Sequence, residues 1–431
     1  MSILRPLAGV TLAAGLSLLV EPGFGQSSTQ PITFFTDKEV ETLTEPLGRK
    51  RLAPVDPYAA VGIGMGVFTF YPSLTVAGVV TSNVEQAASR VQLAAGIRLQ
   101  PSLRFESDWV RHSWIGEASY DRISYLDHED LTSQEANLYS KFRLDIRRTT
   151  RAEFEAGYNL DQTGLSDSEI PETAVGFRAE HMFKMAANLI HDSGPLEGRV
   201  KAGIGWKIYD DVELSGGGTE DNADRDHAIP LLSVRATYTD PPVFKPYLQT
   251  AYEPRFYLRN RDRDGLQRSS QGIAVSAGLV IAGEPFWSGD LAVTYLWRDH
   301  EDAALDSNSN IGLDGSLTWN PDELTKIVLA FGTSLEDSVS TTSSSNRNWT
   351  GSIGFSHRLR DNIDVLAGAG VEIEETGAGN DISYDANLGL VWKLGPSLAW
   401  TAGYDVTWLD ATASARSYIE HRFSAGLTLS R

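Results

Sequence analysis

The stretch that begins at Asn260 has the spacing of oxygen ligands in a calcium-binding loop. Asp262 and Asp264 follow at alternate positions, and Gln271 stands at the twelfth. A calcium loop of this kind ends on a Glu that binds the ion through both carboxylate oxygens. Because Gln cannot do this, and because two Arg separate the other ligands, the sequence predicts no calcium site here.

Ser140 and His181 are the residues that could supply a nucleophile and a base on the apolar side of their strands. The two predicted strands are not neighbours, so the side chains are out of hydrogen-bond reach. The other His residues are scattered without the spacing of metal ligands. We therefore predict that the chain is not an enzyme and binds no metal or cofactor.

Charged residues of both signs repeat instead at every second position along several segments. This period is typical of a β-strand with two unlike faces. If the apolar face meets lipid, the charged face lines the interior of a barrel. The candidate pore-lining residues are Lys141, Arg143, Asp145, Glu153, Glu155, Arg178, Glu180, Lys245, Glu253, Arg255, Asp385, Asp405, Glu420 and Arg422.

The alternation is clearest between residues 382 and 392. The apolar row is Ile382, Tyr384, Ala386, Leu388, Leu390 and Trp392, and it alternates with the small or polar Ser383, Asp385, Asn387 and Gly389. A tight turn at Gly395 and a second alternating segment follow. Alternating strands of about ten residues, with aromatic residues at their ends, are what a β-barrel needs to cross a bilayer.

The connections between these segments alternate in length. Short turns such as Asp240–Pro242 and Arg360–Asp361 alternate with longer polar loops such as Asp210–His227 and Glu375–Asn380. Short periplasmic turns and longer outer loops are typical of outer-membrane barrels. The sequence therefore predicts an all-β fold, a transmembrane antiparallel up-and-down β-barrel of about 18 strands.

All ten Trp lie at or near predicted strand ends, some toward the short turns and the others toward the long loops. Indole rings prefer the membrane–water interface, so this distribution predicts two aromatic girdles. In a soluble β-sandwich, Trp would mark strand centres instead. The Trp positions therefore favour the barrel.

The composition agrees with a barrel and excludes other classes. A net charge of −20 argues against a nucleic-acid partner. The chain has no Cys, so it forms no disulfides. A mean hydropathy of −0.22 is expected of a barrel, because only every second strand residue faces lipid.

Three regions are predicted along the chain. Residues 1–25 have the charge, apolar run and small residues of a cleaved signal peptide. Residues 26–62 are predicted to be a periplasmic N-terminal extension, and residues 63–431 the barrel. We expect a protein of the cell outer membrane, exported through the inner membrane and in contact with lipid and lipopolysaccharide.

The outer loops give two further expectations. The third outer loop is not long enough to suggest a constriction folded into the barrel. The longest loop, Asp210–His227, is acidic, and we interpret it as a solvated surface loop.

The N-terminal part of the barrel resembles a family of bacterial outer-membrane β-barrel porins, the alphaproteobacterial type. The segments that carry the resemblance are Asp56–Tyr58, Tyr71–Leu74, Glu106–Trp109 and Arg111–His112. The resemblance implies an outer-membrane barrel without catalytic residues, and some members are linked to exopolysaccharide secretion. The last residue, Arg431, is not the aromatic residue that the barrel assembly machinery reads in many such proteins.

Together these features predict a porin or channel for polar solutes or for a secreted polysaccharide. An exporter would need a periplasmic polysaccharide-export partner, for which residues 26–62 are a candidate docking arm. The alternative is a closed structural or surface-adhesion barrel without transport. The sequence does not distinguish an open lumen from a plugged one.

Overall fold

The computed structural model describes residues 57–89, 91–167, 169–171, 173–283, 285–337, 345–376 and 379–431. The predicted signal peptide and most of the predicted extension lie outside these residues. The strands of the barrel wall, numbered in chain order, are β1 (Phe68–Thr81), β2 (Ala94–Ser107), β3 (Ser113–Tyr125), β4 (Ser133–Arg147), β5 (Thr150–Thr163), β6 (Arg178–Ser193), β7 (Leu196–Tyr209), β8 (His227–Tyr238), β9 (Phe244–Tyr252, continued at Phe256–Tyr257), β10 (Ser270–Gly283), β11 (Trp287–His300), β12 (Asn308–Trp319), β13 (Thr325–Asp337), β14 (Ser345–Arg360), β15 (Ile363–Thr376), β16 (Gly379–Gly395), β17 (Leu398–Asp410) and β18 (Tyr418–Ser430).

Each strand pairs antiparallel with the next one, and β18 pairs with β1 to close the sheet. The wall therefore has eighteen strands, which confirms the predicted fold class. The short strand Ile63–Met65 pairs with the start of β1 at the periplasmic end. None of the helices among the described residues is long and apolar enough to cross a membrane.

The outer face of the barrel is apolar, as the period-2 pattern requires. Large apolar side chains such as Leu74, Leu248 and Leu388 are exposed there. Near the periplasmic end, Phe68, Phe105 and Trp114 pack edge to face. Aromatic rings at this height are the expected membrane-interface girdle.

Two predicted details are wrong. The connection between β15 and β16 is not a long loop, because the strands run to Thr376 and from Gly379. The alternation of short and long connections therefore fails at this hairpin. In addition, β9 is interrupted at Glu253–Arg255, where Arg255 forms an isolated bridge to Ser270 and the Glu253 N–H donates to the Gly272 carbonyl oxygen.

Two short sheet strands outside the wall lie in the longest outer loop. Val212–Glu213 pairs with Thr219–Glu220. The loop between β5 and β6 continues this small sheet, since Ala174 bridges to Leu214. The two loops thus form one structure above the barrel mouth.

Candidate functional site: the barrel lumen and its outer mouth

The inner face of the wall is polar. All fourteen residues predicted to line a pore lie on this face, because each has the opposite parity to the exposed apolar residues of its strand. Several of them are nearly inaccessible. Lys141 is 2% exposed, and Glu180 is 4% exposed. Side chains of the inner face therefore pack on one another, and the lumen is narrow on the β4–β7 side.

Ion pairs between neighbouring strands, and between strands two apart, neutralise much of this charge. Lys141 Nζ lies 2.9 Å from Glu153 Oε2, and Lys201 Nζ lies 3.2 Å from Glu155 Oε2. The pattern of alternating positions predicted Lys141, Glu153 and Glu155. A buried charge is tolerated when it is paired, so these pairs keep a polar wall without a large net charge.

Six more of the predicted residues form three local pairs. Arg143 and Asp145 are 2.9 Å apart, and Arg178 lies 2.9 Å from Glu180. On the far side of the barrel, Arg422 pairs with Glu420 at 2.9 Å. Each of these pairs joins residues two positions apart in one strand, and they are therefore visible in the sequence as period-2 charge pairs.

The remaining predicted residues have different surroundings. Asp385 accepts a hydrogen bond from Thr407 Oγ1 at 2.9 Å. Glu253 lies 3.8 Å from Arg298, while Arg255 reaches the carbonyl oxygen of Leu335 on β13 at 3.0 Å. Lys245 and Asp405 are partly exposed on the inner face. The structure does not bring the fourteen residues together at one place.

Sequence reasoning missed several inner charged residues. Arg98 pairs with Asp121 between β2 and β3. Arg235 on β8 reaches Asp290 on β11 at 2.6 Å and lies over the ring of Tyr247, 3.4 Å from its centroid. Strict application of the alternating pattern to every strand would have found these residues. The pairing of Arg235 with Asp290, three strands away, could not have been found in this way.

The third outer loop, residues 164–177 between β5 and β6, folds into the mouth of the barrel. We call it loop 3. Its Leu165 and Phe177 pack against a buried apolar cluster at the top of β1–β3 that includes Val79 and Tyr125. The expectation that no third loop forms a constriction is therefore wrong. It failed because the apolar anchor of the loop is formed by residues that lie far from it in the sequence.

Polar contacts extend loop 3 toward the opposite wall. Arg416, in the loop between β17 and β18, donates to the Ser166 carbonyl oxygen at 3.1 Å and to Asp381 on β16 at 2.7 Å. The carboxylates of Asp167 and Glu169 also lie close enough to the Glu374 carboxylate on β15 to repel it. Since β15 and β16 are far around the barrel from β5, the loop reaches across the mouth.

The other end of loop 3 is held by cations. Glu169 Oε2 lies 3.1 Å from Arg225 and 3.9 Å from Arg178. Both Arg side chains lie beside the ring of Tyr209, 5.7 Å and 5.2 Å from its centroid. The constriction thus has cations on the β6–β8 side and carboxylates on the loop and on the β15–β16 side.

Asp167 has an unusual ionisation. Burial and the neighbouring Glu169 carboxylate raise the pKa of Asp167 to about 6. The N–H of Glu169 donates to its carboxylate at 2.7 Å, which partly offsets the effect. The carboxyl therefore changes charge near pH 6, on the loop that folds into the mouth.

The calcium-like stretch is arranged differently from a calcium loop. The Asp262 carboxylate accepts the N–H groups of Asp264 and Leu266 at 2.9 Å and 2.8 Å and pairs with Arg268. These donors occupy the oxygen atoms that a cation would need.

A closed antiparallel barrel with an apolar outer face, aromatic girdles and a polar lumen defines an outer-membrane β-barrel channel. The chain matches the family model described as "Putative beta-barrel porin 2" over residues 56–431 and belongs to that family. No curated protein matches it.

Among solved structures, the chain is similar to OpdL of Pseudomonas aeruginosa, with 12% identity, a TM-score of 0.42, and coverage of 85% of this chain and 99% of that one. OccK2 (OpdF) of Pseudomonas aeruginosa, solved in complex with glucuronate, gives 9% identity, a TM-score of 0.44, and coverage of 84% and 98%. The siderophore receptor PirA of Acinetobacter baumannii gives 6% identity, a TM-score of 0.41, and coverage of 84% and 80%. The family match carries the assignment.

Proposed function

We propose that the protein is a passive channel for small polar solutes and that loop 3 selects them at the outer mouth. The observation that carries the proposal is the path of loop 3, from the cluster around Val79 to Arg416 and Asp381. A loop held at both ends limits the size of a solute. Loops and inner charged residues are the parts of a channel that set its selectivity.

The charges at the mouth indicate how solutes are sorted. A solute that passes loop 3 meets Arg178 and the Arg225–Glu169 pair on one side and Glu374 and the Asp381–Arg416 pair on the other. Opposed charges across a narrow passage orient a dipolar solute and hinder a large apolar one. We therefore propose that the channel favours small solutes with both a positive and a negative group.

Secretion of a polysaccharide remains a prediction from the family resemblance. A polymer would have to pass loop 3, which is tied to both sides of the mouth. We favour small solutes because their passage does not require this loop to leave. An exporter would need the loop to be displaced by a partner, such as one bound by residues 26–62.

Replacement of loop 3 tests the proposal. In one variant, residues 165–175 are replaced by a short Gly-Ser linker. We expect a severalfold rise in single-channel conductance in planar bilayers and faster liposome swelling with larger sugars. The matched control replaces Gly216–Thr219, an exposed tip of the next outer loop, with Gly and Ser of equal length.

The outcomes separate the possibilities. Equal conductance of the wild type and the loop 3 variant would show that the loop is not the constriction. Silence of both proteins, when both are folded by heat-modifiable gel mobility, would contradict a passive channel and leave a structural barrel or a partner-opened exporter.

A further inference from the structure

The strands β12 and β13 form a hydrogen-bonded ladder over only half of the length of the seam between them. Gly315–Trp319 pairs with Ile327–Phe331, at the periplasmic end. On their other sides, β12 pairs with β11 from Asn308 onward, and β13 pairs with β14 throughout. Within the described part of the chain, residues 308–314 have no ladder partner on the side of β13.

In the half of the strand nearer the outer loops, β13 lies on the lumen side of β12. Thr333 has the same parity as Leu329 and Phe331, which are exposed on the outer face. Gly312 has the inner-face parity of β12, yet a Cβ atom built on it would lie 2.8 Å from the Thr333 Cβ. The outer side of β13 therefore lies against the inner side of β12. The two strands overlap here instead of pairing edge to edge.

Side chains replace the missing ladder at the point where the strands part. Thr333 Oγ1 accepts the Leu313 N–H at 3.2 Å and donates to the Leu313 carbonyl oxygen at 3.3 Å. The Thr333 N–H donates to the Asp314 carboxylate at 3.2 Å. Beyond this point, Arg255 holds the Leu335 carbonyl oxygen from across the lumen. The overlap thus depends on a few side-chain hydrogen bonds.

A buried amide within the overlap is incompletely bonded. Asn310 lies on the face of β12 that β13 covers, and its Nδ2 has no hydrogen-bond partner. Asn346 and Asn348 on β14 also have an Oδ1 atom without a partner, but they lie on the lumen face of their strand. Most buried polar atoms are bonded in a stable structure. The unpaired Asn310 amide therefore indicates a ligand or a second conformation that satisfies it at the overlap.

The outer surface of the same seam faces hydrocarbon. Ile311 is 64% exposed and Leu313 is 51% exposed, both on the outer parity of β12. An open strand edge is not stable in lipid, because its N–H and C=O groups have no partner there. This seam therefore lies between an apolar outer surface and the buried Asn310 amide on the inner side of β12.

We propose that the β12–β13 seam is a lateral portal between the lumen and the outer leaflet. Its ligand would be an amphiphile with an uncharged, hydroxyl- or amide-bearing head and an alkyl chain. The Asn310 amide would bind the head, and the alkyl chain would lie along Ile311 and Leu313. Thr333 and Arg255 hold the portal closed. This function goes beyond the passage of small solutes through loop 3.

Lipid access at the seam is the first test. The chain has no Cys, so a single introduced Cys can be labelled cleanly. Asn310→Cys is labelled with bimane and reconstituted with phosphatidylcholine that carries a nitroxide on its acyl chain. The matched control is Thr294→Cys, which is buried on the inner face of β11 between two continuous ladders.

A portal predicts severalfold stronger quenching at position 310 than at position 294. Equal quenching at the two positions would overturn the proposal. Both variants are first checked for folding by heat-modifiable gel mobility, and Gly312→Cys, on the same covered face of β12, replaces Asn310→Cys if the latter does not fold.

A disulfide lock tests the ligand. The variant Gly312→Cys/Thr333→Cys joins the overlapping strands after a small shift of the Cβ atoms to disulfide distance. The control, Ser276→Cys/Thr294→Cys, joins β10 to β11, where the two hydroxyl oxygens are 2.9 Å apart. The probe is a nitroxide-labelled dodecyl glucoside, whose immobilised fraction is measured by electron paramagnetic resonance.

We expect the oxidised Gly312→Cys/Thr333→Cys lock to abolish the immobilised fraction and its reduction to restore it, with no effect in the control pair. Binding that survives the lock would contradict the portal. If the disulfide does not form, the quenching experiment decides. Single-channel conductance of the locked protein should stay within twofold of that of the wild type. This measurement distinguishes a failure of the proposed solute channel from a failure of the portal.

Discussion

Two seams of the barrel differ in how completely their strands pair. The difference is the reverse of what the positions of the strands in the chain suggest. The seam between β1 and β18 joins the two ends of the barrel, and nine residue pairs from Ser73 to Thr81 form a continuous ladder. The seam between β12 and β13 joins consecutive strands, yet only five pairs form. Closeness in sequence therefore does not determine how firmly two strands pair.

Inner-face contacts explain the difference. At the closing seam, Thr75 and Thr428 share a hydrogen bond of 2.8 Å, and Thr81 donates to Glu420 at 2.7 Å. Small inner residues let the two strands lie edge to edge. At the other seam, Gly312 leaves room for Thr333 to lie beneath it, so that β13 turns into the lumen.

The largest expected effect is at the closing seam. A Cβ at Gly426 would clash with the Val76 carbonyl and lie 2.5 Å from the Ala77 Cα. We predict that Gly426→Val destabilises the barrel by about 3 kcal/mol, at the upper end of overpacking costs. Urea unfolding in lipid vesicles, followed by Trp fluorescence, measures this.

The control for this substitution is Gly78→Val on the neighbouring strand, where a Cβ has open space. It should change the free energy of unfolding by no more than about 0.5 kcal/mol. If the two variants unfold at the same urea concentration, close packing does not hold the closing seam.

A smaller difference is expected from two Thr→Val substitutions. Thr81→Val removes a hydrogen bond to the Glu420 carboxylate, and such bonds contribute about 1.5–3 kcal/mol. Thr333→Val removes bonds to neutral backbone groups of Leu313, which contribute about 0.5–1.5 kcal/mol.

From the comparison of the two seams, we expect Thr81→Val to destabilise the protein more than Thr333→Val does in urea unfolding. Only Thr333→Val should increase lipid quenching at position 310. The reverse order would mean that the β12–β13 seam is the stronger one.

The smallest effect concerns pH and loop 3, which is anchored beside the closing seam. The pKa of Asp167 is raised to about 6, so the inward loop holds a proton that a released loop loses near its ordinary pKa of about 4. The inward position of loop 3 therefore becomes less stable as pH rises from about 4 to about 6. Above pH 6 its stability does not change further, because the carboxyl is ionised in both positions of the loop. The groups that act on Asp167 are Glu169, Arg178 and Glu180.

We expect conductance to rise modestly from pH 4.5 to pH 7, and Asp167→Asn to remove this rise. Asp221→Asn is the control, because the Ala223 N–H and Arg259 lower the pKa of Asp221 below its usual range. A pH response that persists in Asp167→Asn would place the titrating group elsewhere.

The sequence by itself determined the barrel. Alternation such as that of Ile382, Tyr384 and Leu388 sets which side chains face lipid, because successive side chains of a strand point to opposite faces. The strand count, the inner position of residues such as Lys141 and Glu153, and the height of the Trp girdles all follow from this local period.

Only the tertiary structure decided the path of loop 3 and the overlap at β13. Leu165 finds its partner Val79 and Ser166 finds Arg416 at sequence distances that no local pattern encodes. Thr333 and Gly312 look like ordinary members of two strands. Their side-on contact depends on the curvature of the closed sheet, which all eighteen strands determine together.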